Sequence, residues 1–138
     1  MAVTATPVFT QTPNLSLAQI LPADTTTAKT VVTAGANGTK ITALTASSND
    51  TSRIVQINLV RSAVVYILTT VTVAANAGTD GTTAATNLIN STNLPGLPVD
   101  NDGQPYLMMK SGDTLTAAVT VAVTAAKTIS IAAIGADF

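Results

Sequence analysis

The chain contains no histidine, no cysteine, no tryptophan and no glutamate among its 138 residues. Without histidine and cysteine it has no imidazole base, no thiolate nucleophile and no zinc site built on soft ligands. The lack of cysteine also excludes a disulfide scaffold. The chemistry that remains rests on aspartate, lysine, tyrosine, serine and threonine. We therefore expect a protein that is not an enzyme, has no catalytic residues and binds no metal or cofactor.

Charge is scarce as well. Charged residues make up 9% of the chain, against roughly 25% in an ordinary globular domain. The six basic side chains are scattered, and only four aromatic residues are present. Nucleic-acid binding therefore has neither an electrostatic footprint nor base-stacking platforms. A surface with so little charge is poorly solvated on its own, which favours a protein that covers much of its surface with other protein.

Targeting and membrane signals are also missing from the sequence. The first ten residues lack a basic region and a continuous apolar stretch, so they do not form a secretory signal. No run approaches 18 uninterrupted apolar residues, so we expect no transmembrane helix and no membrane partner. These features predict synthesis in the cytoplasm without a signal peptide.

Residues 1–26 differ from the rest of the chain, because Pro7, Pro13 and Pro22 break them into short pieces and no charge precedes Asp24. We interpret this segment as an extended N-terminal arm. It is either a frayed terminus or an arm that packs on a neighbouring subunit, for example by strand addition. The second interpretation makes its apolar residues the candidate partner-binding set: Val8, Phe9, Leu15, Leu17, Ile20 and Leu21.

What is abundant is threonine, alanine and valine, and residues 27–138 read as one β domain. Alternation is clear in 53–61, where Val55, Ile57 and Leu59 share one face and Gln56 and Asn58 the other. About seven strands are predicted, at 28–34, 40–47, 53–61, 63–74, 105–110, 114–124 and 128–134. Short strands with turn signals between them predict an all-β, antiparallel β-sandwich with Ig-like or jelly-roll connectivity.

Three local features complete the prediction. Asn37-Gly38 is a strong signal for a hairpin turn, and residues 83–90 form the one plausible short helix. The segment 100–103 (DNDG) resembles part of a calcium-binding loop. The template would place Pro98 and Met109 at two positions that need oxygen ligands, so we interpret the segment as a plain turn.

Several segments resemble small virion-associated proteins of tailed bacteriophages and prophages, and the resemblance covers about 28–138. The similar segments are TAGANG (33–38), ITAL (41–44), SNDTSR (48–53), INLVR (57–61), VTVAANAGTDG (71–81), LPGLP (94–98), DGQPYL (102–107) and KSGDTL (110–115). The resemblance implies a β-sandwich structural protein on the surface of the virion. The role it implies is a capsid decoration or cement protein, a homo-oligomer with a trimer favoured, which contacts major capsid subunits and stabilises the head.

Two other hypotheses remain open at the level of sequence. One is a tail or baseplate structural protein that contacts a receptor, for which the only long loop is 76–104, and this loop contains no aromatic residue. The other is a small carbohydrate-binding module. Such modules present aromatic platforms to sugar rings, and this chain has no tryptophan and only Tyr66 and Tyr106 as tyrosines.

Overall fold

The fold is built from antiparallel strands. A computed structural model describes residues 9–10 and 12–138, and one turn of 3-10 helix lies at Pro22–Asp24. The strands of this part of the chain are β1 Thr12–Ile20, β2 Lys29–Thr33, β3 Thr39–Ser48, β4 Arg53–Arg61, β5 Val64–Val73, β6 Thr86–Asn87, β7 Leu107–Met109, β8 Thr114–Val119 and β9 Ile129–Asp137.

These strands form two sheets that pack face to face. The β1 sheet has the order β1-β9-β3, and both β6 and β7 pair with the far edge of β3, at opposite ends of it. The β2 sheet has the order β2-β8-β4-β5. If β6 and β7 are counted as one interrupted edge strand, this order is that of an eight-stranded jelly roll. The predicted antiparallel β-sandwich is confirmed. Two connectivities were predicted, Ig-like and jelly-roll, and the observed strand order is that of the jelly roll.

The core lies between the sheets and is filled by aliphatic side chains from both. Each such side chain contributes roughly 1.5–3 kcal/mol when it is fully buried. The largest buried side chains are Ile20, Ile41, Leu44, Ile129 and Ile131 from the β1 sheet, Val32, Val55, Ile57, Val73 and Leu115 from the β2 sheet, and Leu88 and Ile89 from the loop after β6. Because strand residues alternate between faces, this core fixes which residues point outward.

The hairpin between β4 and β5 ends in a two-residue turn. Both turn residues, Ser62 and Ala63, have positive φ angles of 50° and 62°. Positive φ at both positions is the type I′ turn, whose twist matches that of the flanking strands and which usually uses asparagine and glycine. A bulge at Leu68 then shifts the register between β5 and β4. The four residues of β5 between the turn and the bulge, 64–67, pair with the last four residues of β4.

The short helix predicted at 83–90 is wrong. Thr86 and Asn87 instead pair with β3 as β6, and the Leu88 N–H donates to the Leu44 carbonyl at 2.8 Å. Leu88 and Ile89 are both buried in the core. Two threonines and two asparagines in this stretch give it weak intrinsic helix propensity, so pairing with the open edge of β3 prevails.

The extended arm predicted at 1–26 is wrong for most of its described residues. Thr12–Ile20 is a nine-residue strand that pairs along its whole length with β9 of the same chain. Strand addition therefore occurs within the chain, and the boundary predicted between an arm and a domain at 27 does not separate two structural units. Residues 1–8 and 11 lie outside the described residues.

Two turn and strand predictions also need correction. The turn at Asn37-Gly38 connects β2 to β3, which lie in different sheets, so it is not a hairpin turn. The strand predicted at 114–124 ends at Val119, and Val121 is exposed where alternation would have buried it. The chain leaves the sheet there because Thr124 is held elsewhere, by Asp50 and Arg53.

Candidate functional site

The candidate site is the outer face of the β1 sheet, the face that points away from the core. Two of the predicted partner-binding residues, Leu15 and Leu17, lie on it. Leu15 and Leu17 are 66% and 70% exposed and point outward from β1. Phe9 is also exposed, and Leu21 is partly exposed. Ile20 is fully buried in the core, so its assignment to a partner contact is wrong. Val8 lies outside the described residues.

Cross-strand pairing extends this exposed patch over three strands. Leu15 lies opposite Ile134 of β9, which lies opposite Ala43 of β3, and directly opposite residues share one face of a sheet. The next row runs from Leu17 through Ala132. We call this surface the apolar face, and its members are Leu15, Leu17, Ala43, Ala132, Ile134 and, at its far end on β7, Met108.

The local sequence explains why the larger side chains of β1 point outward. The residues of β1 that face the core beside Ile20 are small, namely Ser16 and Ala18. They lie directly opposite Ala133 and Ile131 of β9, which are buried. The two leucines alternate with them and therefore project away from the core. In the sequence, this alternation of small and large residues is the feature that indicates a strand at 12–20. The three prolines of residues 1–26 favoured an extended arm instead.

A shallow hollow crosses the apolar face. Its volume is about 440 Å³, and it lies along β9 between β1 and β3. The floor is formed by the small side chains of Ser130 and Ala132, and the walls include Leu17 and Thr45. It contains no charged lining residue, so it suits contact with a neutral protein surface better than recognition of an ion.

One end of the apolar face gathers aromatic residues. A second hollow of about 250 Å³ is lined by Phe9, Tyr106 and Phe138 together with Lys40 and Met108. These are three of the four aromatic residues in the whole chain. The Lys40 ammonium lies 4.3 Å from the centroid of the Tyr106 ring, which is a cation–π distance. Lys40 therefore covers one face of the only tyrosine in this hollow.

Six of the seven aspartate side chains, all except that of Asp102, accept hydrogen bonds within the chain. Burial alone would raise the pKa of Asp50, but hydrogen bonds from Thr124, Arg53 and Thr51 outweigh it and hold the pKa well below its usual range. The Arg61 guanidinium lowers the pKa of Asp113 against the effect of burial. Thr39 and Asn14 lower the pKa of Asp137. Carboxylates held ionised in this way are not poised to accept or donate a catalytic proton near neutral pH.

The segment 100–103 forms the predicted turn. The Asp100 carboxylate accepts hydrogen bonds from the backbone N–H groups of Asp102 and Gln104, at 3.0 and 2.9 Å. This is an Asx-type turn, so the predicted turn is confirmed. Among the residues described here, no group of three or more acidic side chains could hold a metal ion.

No protein-family model, curated protein or solved structure matches this chain in the comparisons. In the described residues, no helix is long and apolar enough to cross a membrane.

Proposed function

We propose that this protein is a non-enzymatic structural protein of a phage particle, most specifically a decoration protein that binds major capsid subunits on the head. The observation that carries the proposal is the apolar face of the β1 sheet. An antiparallel sheet that faces water on one side normally has polar residues there, because its other face fills the core. Here leucine, isoleucine and methionine occupy the water-facing side.

Such a face is characteristic of a surface that other protein covers. Monomeric soluble proteins rarely expose apolar patches larger than a few hundred Å². On a capsid, each copy would contribute one modest contact, and the symmetric repetition of that contact would tie neighbouring subunits together. The low charge of the chain supports the same role, since few charges need to be desolvated when the face is covered.

The fold is compatible with this role by analogy. Jelly rolls occur in viral capsid proteins and also in lectins. A fold does not by itself determine function, so the analogy supports the proposal only together with the apolar face. The resemblance of residues 28–138 to virion proteins leaves out β1, although β1 supplies both exposed leucines.

The test is a double substitution, Leu15→Lys with Leu17→Lys. Both side chains point into solvent, so the free energy of unfolding is expected to change by no more than about 0.5 kcal/mol for each. Binding to undecorated heads is expected to weaken roughly 100-fold, because two anchors at the centre of the interface become charged. Co-sedimentation of the purified protein with heads measures this directly.

The matched control is Val99→Lys with Val121→Lys, which changes two similarly exposed valines away from the apolar face. This control is expected to bind heads as the native protein does. Equal binding by native protein and the leucine variant would refute the proposed contact. Gold-labelled antibody on intact particles then separates the head from the tail, and labelling confined to the tail or baseplate would favour the tail hypothesis instead.

The aromatic hollow favours a second candidate, a carbohydrate-binding module. Phe9, Tyr106 and Phe138 line a single depression, and aromatic rings are the usual platforms for sugars. If this hypothesis is right, a glycan array gives specific hits that Tyr106→Ala abolishes. An array without hits would argue against this hypothesis. Lys40→Ala is the control, because it removes the ammonium that covers the Tyr106 ring and keeps the ring itself.

A further inference from the structure

A second surface lies on the opposite edge of the sandwich, at the start of β5. Val64, Val65, Tyr66 and Ile67 are consecutive, and each is about half exposed or more. Alternate residues of a strand point to opposite faces, so this stretch is exposed on both faces. It directly follows the tight turn at Ser62-Ala63 and ends at the bulge of Leu68. We call these four residues the β5 tip.

The β5 tip is also a sheet edge. On one side β5 pairs with β4, and among the described residues no strand pairs with its other side. An unpaired apolar edge is a template for pairing with another chain, and proteins usually guard such edges with charge, proline, bulges or shortness. The edge of β5 is ten residues long and contains no charged residue, no proline and no glycine.

The other edges of the sandwich do have such protection. β1 carries Pro13, and β2 carries Lys29 and a bulge. β6 and β7 are only two and three residues long. Among the edge strands of the described residues, only β5 combines a length of ten residues with the absence of both charge and proline, and its bulge comes after the first four residues.

The nearest charge does not guard this edge either. Arg61, at the end of β4, donates through Nε and a terminal nitrogen to the two carboxylate oxygens of Asp113, at 2.7 and 2.6 Å. Such a two-point ion pair fixes the guanidinium in one direction. The charge of Arg61 is therefore held against the turn before β8 of its own chain, and the β5 tip contains no charge of its own.

We infer that the β5 tip is the contact between two copies of this chain, which pair edge to edge as antiparallel strands about a two-fold axis. A two-fold contact uses the same surface on both partners, so that surface must be self-complementary. An uncharged apolar strand meets this condition, because no like charges come together when it meets a copy of itself. A charged partner would have to bury its charge against valine and isoleucine without a counter-charge.

The size of the tip sets the strength of the contact. Four residues and their backbone edge give an interface at the low end of the observed range, below about 1,200 Å² in total. We therefore expect a reversible dimer with a dissociation constant of about 1 µM or weaker. This inference concerns the purified protein alone and does not rest on the proposed role in a capsid. It also differs from the trimer that the virion resemblance favours.

Sedimentation equilibrium of the purified protein tests the inference. The native chain is expected to shift with concentration from 13.9 kDa toward twice that mass. Val65→Lys is expected to raise the dissociation constant at least tenfold, because a charge enters the paired edge. Val121→Lys is the matched control, since Val65 and Val121 are 58% and 59% exposed. Circular dichroism confirms that both variants remain folded.

Cysteine cross-linking gives a second readout that does not depend on stability. The native chain has no cysteine, so a single introduced thiol can react only with the same thiol of another copy. Directly opposite Cα atoms in antiparallel strands are about 4.5–5.5 Å apart, which a disulfide can span. Under mild oxidation, at least one of Val65→Cys, Tyr66→Cys and Ile67→Cys is expected to form dimers much faster than Val121→Cys.

Each outcome decides the matter. Loss of dimer in Val65→Lys but not in Val121→Lys, with selective cross-linking at the tip, supports the inference. A native protein that stays monomeric up to about 1 mM would overturn it. So would a dimer or trimer whose mass Val65→Lys leaves unchanged. The Leu15→Lys, Leu17→Lys variant should still dimerise, so failure of the capsid proposal and failure of this inference can be told apart.

Discussion

Replacing Asp50 by alanine is expected to lower the free energy of unfolding by about 3 kcal/mol, the low end of the roughly 3–5 kcal/mol found when one partner of a buried ion pair is removed, since its partner Arg53 is partly exposed. Asp50 is almost completely buried at the start of the loop after β3. Its carboxylate accepts hydrogen bonds from the Arg53 Nε at 2.8 Å and from the backbone N–H groups of Thr51 and Thr124 at 2.8 and 3.0 Å. Alanine leaves all three donors without this acceptor.

The effect is large because Asp50 joins segments that are distant in sequence. Thr124 lies 74 residues after Asp50, in the connection between β8 and β9. Arg53 also donates to the Thr124 hydroxyl, so two hydrogen bonds connect Thr124 to the segment that contains Asp50 and Arg53. Loss of the carboxylate would free this connection and expose the end of the core near Val123, which is buried.

Urea unfolding measures the change, and the midpoint is expected to fall by about 1–3 M. Asp102→Ala is the matched control, because it removes the same charge from an exposed turn. That control is expected to stay within about 0.5 kcal/mol of the native protein. If the two variants unfolded at the same urea concentration, the hydrogen bonds of Asp50 to Arg53 and Thr124 would not contribute to the stability of the fold.

The β pattern of residues 27–138 could be predicted from the sequence because it depends on local periodicity. In β4, the buried Val55 and Ile57 flank the partly exposed Gln56, as the alternation predicts. In β8 the alternation correctly marks Leu115, Ala117 and Val119 as buried, although Thr116 and Ala118 between them are buried too. The core of the sandwich, with Val55, Ile57 and Leu115 at its centre, was therefore accessible from residue order alone.

Features that depend on distant partners could not be predicted. β1 was interpreted as an arm because Pro13 interrupts it, yet an edge strand tolerates a proline near its start. The turn at Asn37-Gly38 has the chemistry of a hairpin, but the pairing of β3 with β9 carries the chain into the other sheet. Propensity describes a short segment, and strand pairing over many residues overrides it.

The candidate interaction surfaces could be predicted only in part, because they too depend on how distant strands pair. Leu15 and Leu17 could be identified as apolar residues that need a contact, and their spacing places them on the opposite face from Ile20, but only the pairing of β1 with β9 shows that the Ile20 face is the one buried in the core. The β5 tip lies within the strand predicted at 63–74, whose β-branched residues do not by themselves show whether the strand is central or at an edge. Only the sheet order shows that β5 lies at an edge, where such residues remain exposed.

Acid is expected to destabilise the folded protein steeply below about pH 4. Asp50, Asp113 and Asp137 all have a folded-state pKa below the ordinary value of 3.8, for the causes given above. A carboxylate whose pKa is lowered by folding stabilises the folded state fully above its unfolded pKa. That contribution is lost as the pH falls through 3.8 toward the folded-state pKa, because the unfolded chain takes up the proton first.

Thermal unfolding followed from pH 7 to pH 2 tests this expectation. The chain has no histidine, so side chains contribute little change between pH 7 and pH 5. Below pH 4 the midpoint is expected to fall by more than about 5 °C, the shift that a loss of about 1.5 kcal/mol gives in a domain of this size. Asp50→Ala should show a smaller fall, because one of the responsible carboxylates is gone. An unchanged midpoint at pH 2, or an equal fall in the variant, would mean that these hydrogen-bonded carboxylates do not hold the sandwich together.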